Sequence, residues 1–204
     1  MRKLNLSFDI DDVIVDDTPI FKKAFKSTPH PFRYPTKPDF SDLPTEVLSN
    51  LFKLYSEPEP YLEFPLLDPR IPDALNNLID SPLYNVSIVS QRPQEFYEMT
   101  LGQLQSYGIN ATPNMTILVG VFLKDGIKRY PGANKKIPIL MERKIDLHFE
   151  DGALAVAACL QHNIFPVMIS NHMTPFNHFL RNQAEHYLSL MDALVAKNLL
   201  IHSK

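Results

Sequence analysis

Asp9, Asp11 and Asp12 fall within four residues, directly after an alternating apolar run of Leu4, Leu6 and Phe8. Alternation with period two specifies a strand, and Asp is depleted inside strands. The carboxylates therefore mark the carboxyl end of a strand, the edge at which open α/β sheets bind ligands. Crowded like charges call for a cation to offset them. The chemistry this pattern points to is a metal-assisted carboxylate site. Three further groups stand at comparable places. Ser90 ends the run NVSIVS and precedes Gln91, Arg92 and Pro93. Lys136 opens an amphipathic segment carrying Ile137, Leu140 and Met141, with Lys135 beside it as a competitor. Glu150 and Asp151 directly follow IDLHF.

The elements that must position these residues alternate. Strands are expected over 4–10, 85–90, 115–122, 145–149 and 164–169, with Pro166 pointing to an edge position for the last. Helices are expected over 93–107, with Pro93 in the first turn, over 136–144 and over 153–162. Lys124–Ile127 reads as a tight hairpin turn, and 174–200 as helix broken once. Alternating strand and helix implies an α/β fold, a Rossmann-like three-layer α/β/α sandwich on a mostly parallel five-stranded sheet. Residues 16–67 contain no convincing strand but carry an amphipathic helix through Val47, Leu48, Leu51, Phe52 and Tyr55. Eleven of the 18 prolines lie between Pro29 and Pro82, so this region reads as helix pieces joined by stiff loops. The division expected is a core of 1–15 and 68–204 with a small helical cap, 16–67, inserted after the first strand at the ligand-binding edge.

Composition narrows the class. The 204 residues are 45% hydrophobic and 21% charged, as in a globular domain. A net charge of −3 and a pI near 6.1 give no basic footprint for nucleic acid. No run approaches the ~18 apolar residues of a membrane span, and the N-terminus lacks an apolar signal region. The expectation is a cytoplasmic protein acting on a small phosphorylated metabolite, with no nucleic-acid or membrane partner and no oligomeric state set by the sequence. Cys159, the single cysteine, sits in an Ala-rich apolar run and reads as a buried helix residue.

The four motifs, in this order, resemble those of the haloacid dehalogenase superfamily, whose members are mostly phosphohydrolases. FDIDDVI is similar to its first motif, VSIVSQRP to the second, Lys136 to the third and DLHFEDG to the fourth. All four in order form a stronger signal than Asp-x-Asp alone. The resemblance implies that Asp9 attacks phosphorus to form an aspartyl-phosphate and that Asp11 acts as general acid, then base. It implies Mg²⁺ held by Asp9, the Asp11 carbonyl and Asp151, with Glu150 behind Asp151 as a direct ligand. Ser90 would donate to a phosphoryl oxygen, Lys136 would neutralise charge, and Arg92 could add a phosphate contact.

Each residue has a plainer role open to it: Ser90 as a helix cap, Lys136 as a solvated lysine, Glu150-Asp151 as a helix-terminal acidic pair. His148 reads as a hydrogen-bonded structural residue, and Asp12 as a turn cap or a charge behind the site. Asp16 and Asp17 cap the helix expected at 19–25. The insertion offers Lys22, Lys23, Lys26, Arg33 and Lys37 among Phe32, Tyr34, Phe40, Tyr55 and Tyr61. Such a mixture can hold a nucleobase or a sugar phosphate, although packing of the cap accounts for most of the rings. The cap and acidic pair are loosely similar to the cytosolic 5′(3′)-deoxyribonucleotidase branch, which makes a 5′-nucleotidase the leading substrate expectation. The alternatives are a phosphotransferase or sugar-phosphate mutase on the same scaffold, and a non-catalytic phospho-ligand binding module.

Overall fold

The computed structural model describes residues 2–33, 43–122, 128–129, 135–170, 180 and 182–200, with backbone alone at 121–122 and 128–129. Seven strands form one sheet: β1 (Leu4–Phe8), β2 (Tyr84–Pro93), β3 (Thr116–Phe122), β4 (Lys128–Arg129), β5 (Leu147–Glu150), β6 (Phe165–Ile169) and β7 (Glu185–Tyr187). Their order is β4-β3-β2-β1-β5-β6-β7. Every pairing is parallel except β3–β4. The mostly parallel α/β sheet is the expected one, and the strand count is corrected from five to seven. The two additional strands have two and three residues, too short for a period of two to show in the sequence.

β7 also corrects the reading of 174–200 as helix. Residues 185–187 pair with β6, and the described helix there is Leu190–Ala196; 174–179 and 181 lie outside the described residues. β6 is consequently not an edge. β7 starts opposite Val167, so the missing N–H of Pro166 falls before that pairing begins. Pro93 ends β2 rather than opening a helix. The β2–β3 register shifts between Ser90 and Pro93, and a 3₁₀ turn at Gln94–Phe96 precedes the helix. The turn expected at 124–127 lies outside the described residues, although the pairs flanking it, Val121 with Arg129 and Phe122 with Lys128, are antiparallel.

Eight helices are described with these strands: α1 (Thr18–Lys26), α2 (Thr45–Leu54), α3 (Glu59–Leu62), α4 (Ile71–Ile79), α5 (Tyr97–Ser106), α6 (Lys136–Glu142), α7 (Ala153–Gln161) and α8 (Leu190–Ala196). Neighbouring strand residues divide between the two faces, which is the alternation of a pleated strand. Ile88 and Leu118 pack with Leu75, Leu104 and Leu194 from α4, α5 and α8. Val89 and Val119 pack with Ile137, Leu140 and Cys159 from α6 and α7. Cys159 is buried, as its apolar surroundings imply.

Among the described residues, the segment between β1 and α4 carries three helices, α1 to α3. Ile20, Phe21, Ala24 and Phe25 of α1 recur at helical spacing, and with Val47 and Leu51 of α2 they join the core cluster on the first face. The chain leaves and re-enters at one point. The Asp16 N–H donates to the Pro65 carbonyl at 2.8 Å, and the Leu67 N–H to Ile14 at 3.1 Å. Val15 bridges Leu66 in the antiparallel sense between them.

Candidate active site

Period-two alternation places Ser7 and Asp9 on one side of β1 and Phe8 on the other. The same holds for His148, Glu150 and Phe149 on β5. Register pairs Ser7 with His148 and Phe8 with Phe149, and the two rings stack at 4.6 Å within the core. One residue further on, Asp9 and Glu150 come level at the carboxyl ends. There the Asp9 N–H donates to the Phe149 carbonyl at 2.9 Å. Ser90 stands beyond Ile88, the register partner of Phe8 on the opposite flank.

Lys136 closes this group. Its helix buries Ile137 and Leu140, which turns Lys136 inward and leaves Lys135 exposed. Its Nζ lies 2.7 Å from Asp9 Oδ2 and 2.6 Å from Glu150 Oε2. Glu150 Oε2 also meets His148 Nε2 at 3.0 Å, and Oε1 accepts the Gly152 N–H at 2.9 Å. His148 Nδ1 pairs with Ser7 Oγ at 2.7 Å. A buried chain thus runs Ser7–His148–Glu150–Lys136–Asp9, with His148 in the structural role.

The two carboxylates on Lys136 behave differently. Burial raises the Asp9 carboxyl from 3.8 to about 7; Lys136 opposes that rise, while Glu150 and Asp11 add to it. Burial acts on Glu150 in the same direction, but Lys136 and His148 outweigh it and hold Glu150 well below the ordinary carboxylate range. The physical difference is donor number. Glu150 receives Lys136, His148 and the Gly152 N–H, whereas Asp9 has Lys136 and the Ile10 N–H at 2.8 Å. Burial alone would lower Lys136; Asp9 and Glu150 raise it above an ordinary lysine. Burial lowers His148.

Oxygens of Asp9, Glu150 and Asp151 lie within 4.8 Å of one another. A set of carboxylate oxygens suits a hard cation such as Mg²⁺, and a dication offsets the like charge that raises Asp9. Donors reach both oxygens of Glu150 and both of Asp9, so a cation here would share these carboxylates with Lys136. Oxygens of a second trio, Asp12, Asp16 and Asp17, also lie within 4.8 Å of one another. Those residues shape the entry to α1. Asp12 has φ 58° and Oδ1 accepts the Asp17 N–H at 3.4 Å; Asp16 Oδ1 accepts the Thr18 N–H at 2.9 Å. Asp17 Oδ2 accepts the Tyr55 O–H at 2.8 Å. Asp17 stands at the N-cap of α1 without a side-chain capping bond, a correction to the expected capping, and the first-turn Thr18 N–H is met from Asp16 instead.

Asp11 is 23% exposed and faces Arg92, whose Nη2 lies 2.7 Å from Oδ1. Ser90 Oγ, buried, accepts the Arg92 N–H at 3.2 Å. The structure therefore brings Asp9, Lys136, Glu150 and Asp151 together, and sets Asp11, Arg92 and Ser90 along the same edge. Sequence reasoning missed Ser7, although it shares the Asp9 face at i−2, missed Gln103 and Phe64 around Arg92, which no spacing signals, and offered Tyr61 for substrate rather than as a neighbour of Arg92. Of the aromatics offered for substrate, Tyr55 and Tyr61 are buried and Phe32 packs on Phe25; Tyr34, Lys37 and Phe40 lie outside the described residues. A cavity of about 290 Å³ opens between α1 and the ends of β6 and β7. Asp12, Asp16, Lys22, Ser170 and Ser189 are among its lining residues, and among the described residues none of those that line it is aromatic.

No family model and no curated protein matches this chain. Solved structures do. A haloacid dehalogenase-like hydrolase from Streptococcus pneumoniae is 15% identical with TM-score 0.64, covering 96% of this chain and 98% of its own. A haloacid dehalogenase-like protein of unknown function from Agrobacterium tumefaciens is 15% identical with TM-score 0.60, covering 97% and 98%. A Thermotoga maritima protein assigned as a beta-phosphoglucomutase is 17% identical with TM-score 0.57, covering 97% and 100%. The chain has the α/β fold of these haloacid dehalogenase-like structures.

Proposed function

We propose that this protein is a Mg²⁺-dependent phosphatase that hydrolyses a phosphomonoester through an aspartyl-phosphate on Asp9. The observation that carries the reading is the buried Asp9–Lys136–Glu150 group, with Asp151 beside it, at the carboxyl edge of the sheet. Bound between Asp9, the Asp11 carbonyl and Asp151, with Glu150 as a further ligand, Mg²⁺ would supply the charge that keeps Asp9 ionised and polarises the phosphoryl group.

Asp9 attacks phosphorus, and the bond to the substrate oxygen breaks as Asp11 gives that oxygen its proton. Asp11 then takes a proton from water. The water attacks phosphorus, and the bond to Asp9 breaks to release inorganic phosphate. Lys136 holds the Asp9 carboxylate in place and offsets charge on the transferring group. Ser90 Oγ accepts the Arg92 N–H, which leaves its own O–H to donate to a phosphoryl oxygen.

Residues 16–67 form the proposed cap, with 1–15 and 68–204 as the core. The paired entry and exit at 14–16 and 65–67 support that division. The substrate is a small phosphorylated metabolite of the cytoplasm, not a nucleic acid or a membrane lipid. A 5′-nucleotide remains the substrate proposal that the motif similarity supports. The Thermotoga neighbour favours one second reading, a mutase that passes the phosphoryl group from Asp9 to another hydroxyl.

Turnover of p-nitrophenyl phosphate, with Mg²⁺ and with a chelator, tests the class. A panel including nucleoside monophosphates and hexose phosphates separates the substrates. The expected result is chelator-sensitive hydrolysis with a trappable phosphoenzyme that Asp9→Asn abolishes. Hydrolysis unaffected by Asp9→Asn refutes the nucleophile. Phosphoryl transfer to an acceptor hydroxyl in preference to water establishes the second reading.

A further inference from the structure

Arg92 was expected to touch phosphate, but its guanidinium is fully buried and already engaged. Nε lies 3.1 and 3.2 Å from the two Asp11 oxygens, and Nη2 lies 2.7 Å from Oδ1. Nη1 donates to Gln103 Oε1 at 2.6 Å. The carbon of the guanidinium sits 5.0 Å from the Tyr61 ring centroid and 5.8 Å from that of Phe64. Gln103 Nε2 donates to the Tyr61 carbonyl, and the Tyr107 O–H to the Phe64 carbonyl. The fork is thus held on one side by α5 and on the other by the returning arm of the insertion.

The sheet is built to put Arg92 there. β2 continues past Ser90 through a register shift against β3. A Cβ at Gly120 on β3 would meet the Gln91 carbonyl oxygen at 2.2 Å and the Arg92 carbonyl oxygen at 2.6 Å, so only glycine lets the two strands approach this closely.

We propose that Arg92 is the positioning residue of Asp11, rather than a phosphate ligand, and that it ties Asp11 to the Tyr61–Phe64 arm. This rests on the phosphatase reading. Asp11 is partly exposed and free to sample rotamers without a partner. A two-point contact with a planar guanidinium fixes both its direction and its plane. Proton transfer to a leaving oxygen depends steeply on that placement.

The test is a double-mutant cycle on turnover with Mg²⁺. Arg92→Met and Arg92→Lys are each made in wild type and in Asp11→Asn, and assayed on an alkyl phosphomonoester and on p-nitrophenyl phosphate. Arg92→Met is expected to lower kcat on the alkyl ester by on the order of 10–10², with a smaller loss on p-nitrophenyl phosphate and KM within about twofold. Arg92→Lys is expected to restore part of the loss, since it keeps the charge and loses the fork. In Asp11→Asn, either change should cost less than about twofold more. Equal losses in both backgrounds, or a raised KM at unchanged kcat, overturn the proposal and return Arg92 to phosphate binding. If Arg92→Met does not fold by circular dichroism, Arg92→Lys alone decides by the same cycle. A folded wild type that hydrolyses neither ester refutes the phosphatase reading and this proposal together; an active wild type with additive losses refutes this proposal alone.

Discussion

Lys136→Met removes the one ammonium shared by two buried carboxylates. At 2.7 and 2.6 Å, each contact carries about 6 kcal/mol of Coulomb attraction at an effective dielectric of about 20. Desolvation of the lysine and the carboxylates offsets most of it, and removing one member of a buried pair costs about 3–5 kcal/mol net. The pH dependence follows from the two acids separately. Glu150 is depressed, so its stabilisation is present above its ordinary value of 4.5 and is lost only as pH falls through the folded value. Its share of the deficit is complete by about pH 6. Asp9 is raised to about 7 even with Lys136 in place. A raised acid contributes stability below its unfolded value and loses it as pH rises through its folded value. Without Lys136 that folded value moves higher still. Above about pH 7 the variant alone keeps Asp9 protonated, and the deficit widens by up to about 1.4 kcal/mol per pH unit. Urea unfolding of both proteins in chelator, between about pH 5 and pH 8, reads this directly. A deficit below about 1 kcal/mol, or one that is flat across the range, refutes the assignment of Lys136 to both carboxylates.

Asp11→Asn is expected to slow turnover by on the order of 10²–10⁴ on alkyl phosphates and less on p-nitrophenyl phosphate. Rapid-quench measurement should find phosphoenzyme accumulating, and a substrate-independent loss without accumulation rejects the acid/base role. Exhaustive chelation should abolish hydrolysis, Mg²⁺ should restore it and Ca²⁺ should not, because Ca²⁺ accepts more ligands and displaces the nucleophile; undiminished turnover in chelator removes the metal from the mechanism. Burial pushes the Cys159 thiol to about 12, so iodoacetamide should modify it in urea and barely at all in the folded protein; equal rates by mass spectrometry contradict its burial on the inner face of α7. Ser189 caps α8 by accepting the Asp192 N–H at 3.1 Å, and Ser189→Ala should cost about 1 kcal/mol in urea unfolding.

Much of the candidate site was legible because its residues break local rules. Asp9 and Asp11 at the end of an alternating strand, and Glu150-Asp151 after DLHF, are poor strand chemistry that local propensity does not explain. Lys136 was legible through the helical phase of Ile137 and Leu140, which requires that position to face inward. The parallel α/β sheet followed from strands and helices long enough to show their periods.

Three things needed the tertiary structure. β7 and the interior place of β6 did, because Glu185-His186-Tyr187 carries no apolar period and becomes a strand only by pairing with Val167–Ile169. The separation of Asp9 from Glu150 did as well: both are buried acids on one lysine, and His148, delivered by register, joins Lys136 in holding Glu150 below the ordinary carboxylate range. The last was the direction of Arg92. Its sequence position beside Ser90 suggested phosphate, since a local reading sees an arginine at a binding edge. A bulge permitted by Gly120, and an aromatic arm returning from some thirty residues upstream in the chain, aim it at Asp11. Sequence alone determined which residues could do the chemistry, because charge and periodicity are local properties. Which of them hold one another was decided by contacts between segments distant along the chain, which no local pattern encodes.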